Sequence, residues 1–265
     1  MTRFRALLRK ELLILFGSPL AYLVLALVVL VAGLLFFDHL RAYNQILFLF
    51  QTSTMGGFES GTVPDHVNLR ETVFFPVMEN LGFLLIGLVP MITMRVFAEE
   101  RARGTDELLV TTHLSSAQIV GGKFLVTFLF VTLAMLASFV YPAMAILQGG
   151  IGLQHLLSVF FGLSLLAIAL ASIGLVCSAF TSSQFMAVVA SWAFCFLLWD
   201  WSWLTPFLRN AEGVARFFDL ISIHPRYSVF AEGVLRLEDL VYFAGVVGIS
   251  YALSRFALDW RRVAG

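Results

Sequence analysis

The sequence predicts an all-α integral membrane protein with six transmembrane helices. Two observations carry that prediction. Of its 265 residues, 60% are hydrophobic and only 13% are charged, and the apolar residues gather into runs long enough to cross a bilayer. A soluble domain is about half apolar and about a quarter charged, so these few charges could not cover a water-facing surface, and the mean hydropathy is +0.90. Seventeen basic residues balance seventeen acidic ones, which leaves neither a basic surface for nucleic acid nor an acidic tail. Cys177 and Cys195 both lie inside apolar runs and offer no disulfide framework or metal-ligand spacing.

The chain opens with an interfacial helix. Between Met1 and Phe16, Arg3, Arg5, Arg9 and Lys10 interleave with Phe4, Leu7, Leu8, Leu12 and Leu15 at helical spacing, with Glu11 beside them. That pattern describes an amphipathic helix lying on membrane lipid at the inner leaflet. The segment runs on into a full span without a small-residue cleavage site, so it does not read as a cleavable signal. Gly17, Ser18 and Pro19 then turn the chain into the membrane.

About 20 mostly apolar helical residues cross a hydrocarbon core of about 30 Å, and a helix satisfies its own backbone hydrogen bonds there. The six runs are 20–37, stopped by Asp38; 74–94, stopped by Arg95; 124–147, opened by Lys123; 153–180; 185–204; and 240–258. Eleven Lys and Arg fall on the side of both termini and six on the other, which places both termini in the cytoplasm. Of the two long outer segments, 38–73 carries the apolar stretch Ile46–Phe50, and 205–239 reads as short helices at the outer interface.

Within the spans, Glu79, Asp200 and Arg255 stand near the ends, where they are expected to reach interfacial water or headgroups. Trp192, Trp199, Trp201 and Trp203 read as an aromatic belt. Ala167, Ala171, Gly174 and Ser178 form a one-sided stripe of small residues that lets helices pack closely. No H-E-x-x-H pair or G-x-S-x-G elbow occurs, and around Gly122 and Lys123 a phosphate loop would need glycine at Ala117 and Ser or Thr at Phe124. The residues therefore assign no cofactor to this chain, and they point away from an intramembrane enzyme.

The densest charge lies between the second and third runs. Arg95 to Arg103 continues the second span as a charged helix that stops at Gly104. Thr105 can cap a short helix with Asp106 and Glu107 in its first turn and Leu108, Leu109 and Val110 exposed. Ser115 and Gln118 form a capping-box pattern for the helix that enters the third span. A short, acid-started, apolar-nosed helix of this kind suits a groove on a soluble partner.

The run E-E-x-x-x-G-T-x-E-L-L, filled by Glu99, Glu100, Gly104, Thr105, Glu107, Leu108 and Leu109, and the following Gly122 and Lys123, resemble the cytoplasmic loop of ABC-2 type transporter permeases. The R-K-E-L of Arg9 to Leu12 and the F-A-E-G-V-L-R-L-E-D-L run before the last span agree, and the gliding-motility branch of the family is the most similar. The resemblance spans the chain as one membrane domain, 1–265. It implies a permease without its own ATPase site in a bacterial inner membrane. Such a permease exports substrate with ATP and Mg held by two copies of a separate ATP-binding subunit. It pairs with a second permease copy or paralogue, and the gliding branch adds the expectation of an auxiliary extracytoplasmic protein. In this family Thr105–Thr112 would be the coupling helix, with Arg103, Thr112 and Lys123 at its borders. His113 stands where the family commonly has proline. The rival reading is a membrane assembly protein that holds a cytoplasmic partner through the same loop without moving substrate.

Overall fold

The computed structural model describes residues 2–54, 67–105, 114–147, 152–201 and 220–264, with Gly213 and Phe218 between the last two stretches. The described secondary structure is helical. Helix α1 spans Thr2–Phe16 and α2 spans Pro19–Thr54. A π-helical turn at Arg70–Phe74 leads into α3 (Phe75–Thr93), followed by α4 (Arg95–Ala102), α5 (Ser116–Ser138) and α6 (Val140–Leu147). The chain ends with α7 (Leu153–Phe180), α8 (Gln184–Trp199), α9 (His224–Ala231) and α10 (Leu237–Ala264).

Helix α7 is the axis of the bundle. Leu163, Leu166, Ala167, Leu170 and Ala171 are fully buried in it, because α3, α5, α8, α9 and α10 all pack around it. The outer helices keep apolar side chains on the surface, among them Leu23, Leu27 and Leu30 of α2 and Leu125, Leu129 and Leu133 of α5. Such faces suit lipid as the surrounding solvent. We call the end where α1, α4, the start of α5 and the end of α10 meet the foot of the bundle, and the opposite end its head.

Five described helical stretches are long and apolar enough to cross a membrane: Pro19–Phe50, Arg70–Ala102, Ser116–Ser138, Leu153–Phe180 and Leu237–Arg262. The fifth expected span, 185–204, differs. Helix α8 has 16 residues, about 24 Å at 1.5 Å per residue, and it stops at Asp200, where the backbone turns extended (φ −153°, ψ 129°).

Two further expectations need correction. The first run does not stop at Asp38; α2 continues through Asp38, Arg41 and the Ile46–Phe50 stretch to Thr54, because polar residues scattered along a helix do not end it without a breaker. The third run is not one helix. It breaks at Phe139, between α5 and α6, where Pro142 has no N–H to offer the Ser138 carbonyl. In the segment before the last span, α9 packs one face inward: Tyr227, Phe230 and Ala231 are completely buried, and the Tyr227 hydroxyl donates to the Met78 carbonyl at 2.6 Å.

Candidate functional site

The site is built at the foot, around Lys123. Helix α5 begins with a complete capping box, Ser115 and Gln118 satisfying each other's backbone amides, and this sets the register that turns Gly122 and Lys123 towards α1. Gly122 is where α1 comes closest: a Cβ there would meet Leu7 Cδ2 at 3.0 Å. The apolar face of α1 therefore lies against α5, and Glu11, one turn after Leu7 on that face, is buried with it.

The Lys123 side chain is 1% exposed. Its ammonium stands 3.2 Å from Glu11 and 2.7 Å from Glu100 Oε2. It donates to the Val96 carbonyl at 2.7 Å and lies 5.1 Å from the centroid of the Phe97 ring. Lys10 closes the cluster from its wetter side, donating to Glu100 Oε1 at 2.5 Å and standing 3.6 Å from Glu11. Two carboxylates thus face two ammoniums. A buried charge is costly unless it is paired and hydrogen-bonded, so the four groups hold one another in place and fasten α1, α4 and α5 into one unit. For Lys10, burial works against the charge, but the hydrogen bond and proximity of Glu100, with Glu11 behind it, prevail and raise its pKa above the ordinary 10.5.

Glu100 also ties this node to the loop. Helix α4 ends in a Schellman turn: Thr105 N–H donates to the Glu100 carbonyl at 2.9 Å and Gly104 N–H to the Arg101 carbonyl at 3.1 Å, with Gly104 at φ 67°, a conformation glycine adopts without strain. The Thr105 hydroxyl donates back to the Glu100 carbonyl at 3.1 Å. Glu99 pairs with Arg103 at 2.6 Å along the same helix. Arg9 is exposed on α1, away from the node.

Further contacts hold the two ends of the loop. Arg101 donates to the carbonyls of Thr181 (2.5 Å) and Ala179 (2.7 Å) at the end of α7, and Arg262 of α10 donates to the Leu114 carbonyl at 3.0 Å. Between these anchors, Glu107, Leu108, Leu109 and Thr112 lie outside the described residues, so the proposed short helix there has no structural description.

The small-residue stripe of α7 meets this region from within. Ala167 and Ala171 are fully buried. Gly174 lies so close to α3 that a Cβ there would stand 2.0 Å from Thr93 Oγ1. The Ser178 hydroxyl accepts from the amides of Phe97 and Ala98.

A second polar cluster sits at the head, and the sequence reading missed it. His224 Nε2 is 2.9 Å from Glu79 and Nδ1 is 4.0 Å from Asp200, and the ring lies against Trp199. The hydrogen bond to Glu79 outweighs burial and, with the charges of Glu79 and Asp200, raises the His224 pKa above 6.5. Glu79 and Asp200 therefore both stand beside a histidine, and both keep part of their side chains exposed. Trp199 is buried against that histidine and Tyr227, which removes it from the expected belt. Trp192 donates to the Gly87 carbonyl at 3.0 Å, joining α8 to α3. Trp203 lies outside the described residues.

Glu11, Glu100 and Lys123 come from three separate stretches of sequence, and the foot of the bundle brings them into one contact set. The model of a known family, the ABC-2 family transporter proteins, matches residues 68–221, more than half of the chain. The chain belongs to the ABC-2 transporter family. It is accordingly a multi-pass membrane protein and the transmembrane component of a transporter, from a family whose permeases work with ATP-binding subunits. The ABC-2 match includes Glu99, Glu100, the loop and Lys123, and it leaves α1, with Lys10 and Glu11, outside. Comparison with the curated proteins returns no match.

Among the functional contacts, the sequence reading also passed over Arg101, Arg262 and Ser178 as anchors of the loop. Arg101 was legible only as one of a charge run, since its acceptors are carbonyls at Ala179 and Thr181, far along the chain.

Proposed function

We propose that the protein is the permease subunit of an ATP-binding cassette exporter in a bacterial inner membrane, with both termini and the foot of the bundle in the cytoplasm. In this reading the Thr105–Thr112 segment is a coupling helix received by a separate ATP-binding subunit, present in two copies and carrying ATP and Mg. A second permease, identical or paralogous, completes the path. Leu108 and Leu109 enter the partner's groove, and Glu99, Arg103, Gly104 and Thr105 set the direction in which the loop leaves α4.

The observation that supports this most is the buried set of Glu11, Glu100 and Lys123, one hydrogen-bonded turn from Thr105. A push on the loop reaches the Glu100 backbone first. Because its carboxylate is bound to Lys123 and Lys10, α1 and α5 move with α4 instead of letting the loop flex alone. Arg101 carries the same displacement to the end of α7. Gating then takes the form of tilting rigid helices.

Replacing Leu108 and Leu109 by Asp tests the reading. The expected result is that the variant reaches the membrane at the wild-type level and loses co-purification of a Walker-motif ATPase in mild detergent. Retained capture together with retained transport would overturn the coupling assignment. Absence of any ATPase from the wild-type complex would favour an assembly protein.

A further inference from the structure

Beside the charge node, a cavity of 570 Å³ opens between α1, the foot of α2, α4 and α5, within the ~300–1,000 Å³ range of ligand sites. Most charges on its wall are already matched: Lys10 and Lys123 by Glu11 and Glu100, and Arg103 by Glu99. Arg95 is not. Its guanidinium donates to the Ser18 hydroxyl at 3.1 Å, no carboxylate among the described residues pairs with it, and its buried Nε has no hydrogen-bond partner there. Pro19, Leu20 and Ala21 also line the cavity, so the first turn of α2 brings its positive dipole end to the same space. The cavity therefore has a surplus of about one positive charge, concentrated where Arg95 and the start of α2 converge.

The remaining wall is apolar. Leu13 and Ile14 line the cavity from α1 and are exposed. From its edge, Leu23, Leu27 and Leu30 run up the outside of α2, one turn apart and all exposed. A soluble anion would have no use for that stripe, whereas a lipid would lay its acyl chains along it.

We infer that this cavity holds the phosphodiester headgroup of one anionic phospholipid, anchored by Arg95 and the start of α2, with its acyl chains against α2. A lipid seated there wedges the hinge Gly17–Ser18 between α1 and α2, so its presence sets how freely the node moves relative to the first span. The inference rests on the reading above for placing α1 at a membrane surface, but its test reads lipid binding directly and involves no ATPase.

The full-length chain, purified alone in detergent, is titrated with phosphatidylglycerol or phosphatidylcholine and weighed by native mass spectrometry. The wild type is expected to retain one phosphatidylglycerol, at about tenfold lower lipid concentration than phosphatidylcholine, the scale of one charge-assisted contact. Arg95→Gln should erase that preference, and Arg95→Lys should keep part of it. Leu13→Glu, at an exposed position, adds a repelling carboxylate to the wall and should also erase it; this variant decides the matter if Arg95→Gln fails to fold. Arg255→Gln, on the exposed face of α10, should bind like the wild type. Equal retention of the two lipids by the wild type would overturn the inference. So would a preference that survives Leu13→Glu, or displacement of phosphatidylglycerol by inorganic phosphate, which would assign a soluble anion. A failed ATPase capture leaves all of these outcomes unchanged, so the two readings fail separately.

Discussion

The Ser178 hydroxyl donates to the Met94 carbonyl at 2.9 Å, at the break between α3 and α4. The same oxygen accepts from the amides of Phe97 and Ala98 at 3.1 and 3.0 Å. The first amides of any helix lack intrahelical acceptors, and here α7 supplies one to α4 from the side. Ser178 is thus a cap delivered by a neighbouring helix, and it fixes the angle at which the charged helix leaves the bundle.

Ser178→Ala should therefore leave two buried N–H groups and one carbonyl without their partner, at a cost of about 1–3 kcal/mol. The expected outcome is a fall of several degrees in Tm, read by size-exclusion chromatography of the heated, detergent-solubilised protein. Ser178→Thr, which keeps the hydroxyl, should lose less. An unchanged Tm in Ser178→Ala would show that the contact does not hold the break.

The node at Lys123 predicts an asymmetry between its two lysines. Lys123→Met leaves two buried carboxylates sharing the half-exposed Lys10 and should destabilise by about 3–5 kcal/mol, enough to reduce the yield of folded protein sharply. Lys10→Met removes a half-exposed partner and should cost about 0–1 kcal/mol. Adding Glu11→Gln to Lys123→Met removes one of the stranded charges, so the double variant should recover part of the loss. Equal damage from both lysine variants would contradict the pairing.

The histidine cluster at the head predicts a pH dependence. Protonated His224 is stabilised by Glu79 in α3 and Asp200 after α8, and the aromatic ring facing it is Trp199. Its folded-state pKa lies above the ordinary 6.5, so the stabilisation is complete below pH 6.5 and disappears as pH rises through the folded-state value. The Tm difference between wild type and His224→Gln should be largest at pH 5.5 and shrink towards pH 8.5, and Glu79→Gln should flatten it. A difference that is constant with pH would rule out the titration.

Local signals in the sequence were readable where one short segment contains both cause and effect. The capping box is complete within Ser115–Gln118, the stop at Gly104 is enforced by that residue's own φ, and α7 has the bounds its apolar run gives it. The node was legible only in pieces: Glu11, Glu100 and Lys123 each stood out as polar residues beside apolar runs, but nothing local says that three distant charges share one volume. Glu79 and His224 are 145 residues apart, and only the burial of α9 brings them together. The length of α2 was obscured because Asp38 and Arg41 look like a membrane boundary, although a boundary in polarity is not a boundary in helix.

That uninterrupted α2 gives the foot of the molecule mechanical reach. Its 36 residues make a rod of about 54 Å at 1.5 Å per residue, with no proline beyond Pro19. Its lower end is joined to α1 through Gly17 and Ser18, where Arg95 holds the Ser18 hydroxyl. A rotation of about 10° at that pivot would sweep the far tip through about 9 Å, given a helical rod of this length. Helix α2 is in this sense a lever, and a small motion at one membrane face is magnified at the other without any change inside the helix.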